Sequence, residues 1–377
     1  MKRVAKLLMC LYALLAASLS AKAQEIVIDL FPGWNWISYP NAVTMDIVTA
    51  LGDFTPMYGD IIKSRNDGVA NYNGTMWIGS LRHFMPGIGY MYYSARSEET
   101  SFVFAVPPQI NIPTGAINGK FTINADGDQV YFSQGNLQYI GSAAEPYWKF
   151  AENQWDCLGT TTGQNSNVHN VDRDLFGWGT SGWDCGNTYY HPWDILNSSG
   201  SSYGPTGANN LTGAYANSDW GVYNPISNGG NQPNQWRTPT KEEWGYVFDT
   251  RTTASGIRYA KANVNAVNGV ILLPDDWNTN YYSLSDTNTN DIDFSVNTIT
   301  ASEWGVLEQH GAVFLPATGY RFGASVKNVG SRGYYWSSSY VNGNYAYGLY
   351  FYDSDLNPQD CSNRTYGRGI RLVRVVE

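Results

Sequence analysis

Between residues 340 and 368 the chain collects side chains that can grip a ligand but carry no obvious covalent chemistry. Tyr340, Asn342, Asn344, Tyr350, Tyr352, Asp353, Ser354, Asn357, Asp360, Ser362, Asn363, Arg364 and Arg368 fall there, with a single cysteine, Cys361, among them. Tyrosine offers a large rigid contact area with few rotors to freeze, while Ser, Asn and Asp offer adaptable hydrogen bonds. These residues are the candidate ligand-binding set. As a strand, the stretch would turn Leu349 and Phe351 to a core and Gly348, Tyr350 and Tyr352 to solvent. Outward tyrosines also pack across strands without any ligand, so the same residues fit a purely structural sheet.

Catalytic and metal-binding patterns are weak elsewhere. His83, His169, His191 and His310 are scattered, with no zinc-helix or nucleophile-elbow pattern beside them. Asn124, Asp126 and Asp128 alternate like the start of a calcium loop but lack its glycine and distant glutamate, which favours a hairpin turn. Gln232-Pro233-Asn234 has the form of a sugar-site triplet in calcium-dependent lectins, without paired ligands nearby. Pro274-Asp275-Asp276-Trp277 reads as an acidic loop. No catalytic residue, metal or cofactor is therefore expected. Cys157 and Cys185 lie in matching Trp-Asp-Cys settings and either pair as a disulfide or stay as two buried thiols.

The elements that must position the 340–368 residues follow from composition and punctuation. The 377 residues include 14 Trp, 28 Tyr and 39 Gly, with only 15% charged, as in a turn-rich extracellular β protein. A net charge of −9 without a basic cluster argues against nucleic acid and anionic membranes as partners. Lys2 and Arg3 precede a short apolar run and Ala21-Lys22-Ala23, so residues 1–23 read as a signal peptide, and no later run is long enough to span a membrane. Residues 24–106 form a small β module with one helical candidate, Thr44 to Phe54, and residues 107–118 a Pro-rich linker. A second domain, 119–377, follows. Capping boxes at Thr240/Glu243 and Thr300/Glu303 open helices ahead of Trp244, Val247 and Phe248 and of Trp304 and Leu307; Gly311 ends the second before a buried strand, Ala312 to Leu315. The stretch from Cys157 to Gln235 has little periodicity, but its tryptophans imply packing onto the core.

Four motifs of this second domain carry a family resemblance. Trp236-Arg237-x-Pro239-Thr240-x-x-Glu243-Trp244, Leu315-Pro316-Ala317-x-Gly319-Tyr320-Arg321, Tyr335-Trp336-Ser337-Ser338-Ser339 and Ile370-Arg371-Leu372-Val373-Arg374 together resemble the Fibrobacter succinogenes major paralogous domain. That family is related to the formylglycine-generating enzymes, a branch of the C-type lectin fold. The resemblance implies an α+β chain whose C-terminal C-type lectin-like domain uses Trp236, Pro239, Trp244, Gly319, Trp336 and Leu372 as framework. The layout also resembles the variable proteins of diversity-generating retroelements, in which adenine-directed rewriting leaves Tyr, Ser, Asn, Asp and Cys at surface codons. Residues 33–37 and 86–90 resemble a module of secreted Bacteroidetes proteins, implying a spacer or anchor. The expectation is a secreted or cell-surface protein that binds a protein or glycan ligand. Two rivals stand beside it: a structural, fimbria-like subunit, and an oxidase of the formylglycine-generating type, which would need more than Cys361 near the site.

Overall fold

A computed structural model of the chain describes residues 26–41, 44–65, 68–106, 112–160, 170–186, 191 and 203–377. The expected signal peptide and residues 107–111 of the expected linker lie outside the described residues. Among the described residues strands take up 34% and helices 12%, so the fold is β-rich with few helices. Two compact units divide it, Met1–Ile110 and Asn111–Glu377. Of the expected linker, Ile117 belongs to the core of the second unit.

The first unit is built on an antiparallel sheet of β1 (Gly33–Ser38), β2 (Ile61–Ser64), β3 (Val69–Tyr72), β4 (Trp77–Gly79) and β5 (Gly89–Ser94), in the spatial order β1-β5-β2-β3-β4. Period-two alternation turns Asn35 and Ile37 inward and Trp34 and Trp36 outward, and Trp36 is 80% exposed. Buried Asp60 ties the sheet to its loops by accepting from the Tyr92 hydroxyl (2.6 Å) and from the Met57 and Ala95 amides (2.7 and 2.8 Å). The helix here, α1, is shorter than expected and runs Ile47–Leu51. Asp46, not Thr44, caps it through the Thr49 amide, because Met45–Asp46 is held extended by pairing with His83–Phe84.

The second unit carries two main sheets. In one, β6 (Tyr259–Val264), β7 (Val267–Leu272) and β8 (Val313–Pro316) are antiparallel neighbours, with Thr298–Ile299 added in parallel to β6. The other is a meander of β9 (Gly333–Tyr340), β10 (Tyr345–Tyr352) and β11 (Asp355–Asn363). A third, smaller sheet pairs Gln129–Phe132 with both Phe121–Thr122 and Val373–Val375, which fastens the start of the unit to its end. Both expected capping boxes form, opening α2 (Lys241–Gly245) and α3 (Ala301–Gln309). Beyond α2 the chain continues as a wider turn, Tyr246–Thr250, and Trp244, Val247 and Phe248 are buried together. From the irregular 157–235 stretch, Phe176, Trp178 and Trp220 are fully buried beside Trp236 and Trp336.

Polar groups between the layers pin them. Asp275, in the stretch expected to be a plain acidic loop, accepts from Arg251 Nη1 (2.8 Å), the Thr122 amide (2.8 Å) and Gln129 Nε2 (2.8 Å). Gly319 has φ +68°, and a Cβ there would lie 2.2 Å from the Lys327 carbonyl, so no other residue fits this turn. Asp219 is fully buried and accepts from the Thr238 amide and hydroxyl and from the Gly221 amide. Burial outweighs those bonds and pushes its carboxyl up to about 6 from 3.8.

The protonated Asp219 therefore stabilises the fold fully below its unfolded value near 3.8, and that contribution is lost as the pH rises through about 6. Relative to Asp219→Asn, which does not titrate, the parent should lose about 2 kcal/mol between pH ~4 and pH ~7, at ~1.4 kcal/mol per unit. Urea unfolding across that range checks this. A difference that stays flat with pH contradicts the assignment.

Candidate functional site

The geometry of the site starts from alternation in the β9–β11 meander. Tyr335, Leu349, Phe351 and Leu356 point into one core, and all are almost fully buried. Tyr334 and Trp336 on β9 point the other way, where they pair with Tyr350 and Gly348 of β10. On β11, Asn357 pairs with Tyr350 and Asp360 with Gly348; Pro358 and Gln359 bulge against the single Leu349 between them. The bulge keeps Asp360 and Ser362 on the same face as Tyr350.

Part of that face is roofed. Trp336 and Ala346 pack with Phe176 and Trp178 in a second core. The rest is open, and at the border lies Arg368. Its backbone exchanges both hydrogen bonds with Phe176 at 3.0 Å. Its guanidinium carbon stands 4.6 Å from the Trp336 ring centre and 5.0 Å from that of Tyr334, and Nη2 donates to Asp360 Oδ2 at 3.2 Å. Gly348 makes room for it: a Cβ there would lie 2.3 Å from the Tyr335 carbonyl and 3.0 Å from Arg368 Nη1.

Beside Arg368 the open part forms a cleft of about 260 Å³ walled by Tyr320, Tyr334, Tyr350 and Tyr366, with Asp360 on its rim. Tyr334 stacks on Tyr350 at 4.9 Å between centroids, and Tyr320 meets Tyr334 edge-on at 5.1 Å and Tyr366 at 5.7 Å. Tyr352 extends the row, 5.4 Å from Tyr350. Arg332 donates to the Tyr350 hydroxyl at 3.0 Å and lies over the Tyr352 ring at 5.1 Å. Burial, with Tyr334 adding, pushes the Tyr350 hydroxyl up to about 12, so it stays a donor at neutral pH. Burial pulls the Arg368 guanidinium down, and Asp360 opposes that shift. Chemically this is a site for ring stacking and hydrogen bonding around one buried cation.

The structure brings together Tyr350, Tyr352, Asn357, Asp360, Ser362 and Arg368 from the expected set and separates the others. Asn342 and Asn344 are exposed at the β9–β10 turn, while Asp353 and Ser354 are exposed at the β10–β11 turn. An eight-residue strand, about 26 Å long, lies between those turns. Cys361 and Asn363 pair with Tyr347 and Tyr345, on the opposite face of the sheet. Tyr340 packs half-buried against the Trp336 core. The candidate residues thus occupy two faces and two tips, because the period-two rule splits any continuous strand segment.

Several expectations are corrected. Arg364 is fully buried, stacked 4.3 Å over Trp178 and donating to the Pro205 and Gly207 carbonyls, so it is a packing residue and no contact residue. Gly348 faces the expected side but is covered by Arg368. No disulfide joins Cys157 and Cys185: both are free thiols, as is Cys361. Cys157 is half-buried beside Asp174 and Asp156, and burial with those charges pushes its thiol up to about 11. Asn124 and Asp128 hydrogen-bond each other across their turn at 2.8 Å, as turn chemistry requires. Tyr320, Tyr334, Tyr366 and Arg332 went unrecognised in the sequence. Tyr334 is legible as the residue two before Trp336 on one strand face, but Tyr320 comes from a separate hairpin, Tyr320–Phe322 with Ser325–Lys327, with no local signal.

No known family model matches the chain, and no curated protein or solved structure is significantly similar to it.

Two outcomes follow from this geometry. Gly348→Ala should cost about 1–3 kcal/mol, since both the Tyr335 carbonyl and the Arg368 guanidinium would have to give way, whereas Asp353→Ser and Cys361→Ser should stay within about 0.5 kcal/mol; denaturant titration compares them. A thiol reagent should label Cys361 at once in the native protein, and Cys157 and Cys185 only after denaturation without reductant.

Proposed function

We propose that this chain is a secreted or cell-surface protein without catalytic activity. Its second unit is a C-type lectin-like scaffold of the Fibrobacter succinogenes major paralogous domain type, displaying a tyrosine-walled ligand site. The observation that carries this reading is that four tyrosine rings, braced by one another and by Arg332 and Arg368, line an open cleft whose reverse side is the hydrophobic core. Rings held this way present contact area at little cost in conformational entropy. The exposed tips, Asn342, Asn344, Asp353 and Ser354, are places where sequence can vary without disturbing the core, as diversification by a retroelement would require.

A structural subunit would need an edge open to strand addition. β11, one edge of its sheet, is interrupted by Pro358 and by a bulge, both of which oppose such pairing. An oxidase of the formylglycine-generating type would need paired cysteines. Cys361 is on the far face from the cleft, and the raised Cys157 thiol is a poor nucleophile.

A glycan and surface-protein array probed with the full chain tests the proposal. The expected result is a ligand whose retention falls at least tenfold, about 1.4 kcal/mol, in Tyr350→Ala and is unchanged in Cys361→Ser. A ligand indifferent to Tyr350→Ala, or oxidation of a thiol substrate by the wild type that is abolished in Cys361→Ser, would overturn it.

A further inference from the structure

Eleven of the sixteen large apolar side chains exposed among the described residues belong to the first unit, so exposed apolar surface is concentrated there, and the barest of them is Trp36 at 80%. Trp36 and Trp34 lie on β1, which is an edge of the five-stranded sheet and pairs with β5 alone. Tyr93 braces Trp34 edge-on at 5.2 Å.

The backbone of that edge is open as well. Along an antiparallel strand the N–H and C=O groups of successive residues point to alternate sides. Tyr72 donates its amide to the Asp60 carbonyl, which turns Ala70 and Tyr72 of β3 toward β2. Carried through the register of β2 and β5, this turns Gly33, Asn35 and Ile37 toward β5 and Trp34, Trp36 and Ser38 outward. The outward groups of those three residues have no hydrogen-bond partner among the described residues. A six-residue edge without proline, bulge or charge is the kind that recruits another strand. The opposite edge, β4, is only three residues long.

This edge fits its own copy. A two-fold axis through Trp36 sets it against the partner's Trp36, and Trp34 against the partner's Ser38, in antiparallel pairing. Every outward N–H and C=O then finds a partner, and the four indoles gather on one face. No charged residue falls between Leu30 and Met45, so the copies meet without repulsion. Lys63, exposed on the same face, lies two strands in from the edge, which keeps the two copies' lysines about 24 Å apart, beyond the ~8–10 Å reach of a charge in physiological salt. Packing the sheets face to face would instead bury both lysines.

We infer that the first unit pairs with a second copy of this chain through the β1 edges, joining two five-stranded sheets into one. Both copies use the same edge, so association closes at a dimer, unlike the open-ended strand addition of a fimbria-like polymer. Trp34 and Trp36 leave about 300 Å² per copy to be covered, well below the ~800 Å² per partner of a standard stable interface, so the dimer is reversible. The contact is independent of the ligand site in the second unit.

Sedimentation velocity of the full chain between about 1 and 200 μM tests this. A monomer–dimer equilibrium should appear within that range and go no further. Trp36→Lys sets two charges on the axis, and Ser38→Pro removes one outward N–H from each copy. Each should weaken the dimer at least tenfold, about 1.4 kcal/mol, with thermal unfolding close to the parent's because both side chains stand in solvent. Ile78→Lys, at an exposed apolar residue of β4 on the far edge of the sheet, should leave it unchanged. If Ser38→Pro does not fold, Trp36→Lys decides alone. A parent that stays monomeric, a dimer that survives either folded β1 variant or falls equally in Ile78→Lys, or assembly past the dimer overturns the inference.

Discussion

The second unit depends on one constraint, the strict alternation of side chains along β9 and β10. Tyr335, Leu349 and Phe351 must fill the core, and their burial leaves Tyr334, Trp336, Tyr350 and Tyr352 no choice but the reverse face. Each core residue thus has a site residue as its covalent neighbour. The bulge at Pro358 and Gln359 preserves the arrangement on β11, since without the extra residue Asp360 and Ser362 would swing to the other side. The core and the cleft are two readings of a single register.

That register explains how the site is braced. Trp336 and Ala346 anchor one end of the reverse face under Phe176 and Trp178, while the other end stays open. Arg368 stands where covered becomes uncovered, and its rings and backbone partners fix it there. Stacked and edge-on tyrosines then continue the order outward to Tyr352. The same arrangement divides labour between the strands, which hold the cleft, and the turns at 341–344 and 353–354, whose exposed residues carry little of the fold.

Elsewhere, polar hubs join parts distant in sequence. Asp275 links Thr122, Gln129 and Arg251; Asp219 gathers Thr238 and Gly221; buried Arg371 reaches Gln154 and the Phe314 carbonyl. Each satisfies groups that could not otherwise leave water, and each acts between elements already brought close by apolar packing. The free thiols fit this picture. Cys157 and Cys185 occupy different surroundings, the one near Asp174 and the other near Arg364, despite their matching Trp-Asp-Cys contexts.

What local physics governs was legible in the amino-acid order. Thr240 and Thr300 cap their helices, Gly311 ends the second with φ +85°, and Leu349 and Phe351 turn inward, because capping, chirality and period two act over a few residues. The tyrosine-rich composition of 340–363 likewise marked a surface of interest. Which of those residues share a face was settled by strand pairing and packing. Alternation and a bulge divided them, burial claimed Arg364 beneath Trp178, and long-range packing delivered Tyr320 to Tyr334 and Tyr366 to Tyr320. Those outcomes rest on contacts between residues far apart along the chain, which capping and alternation within a few residues do not specify.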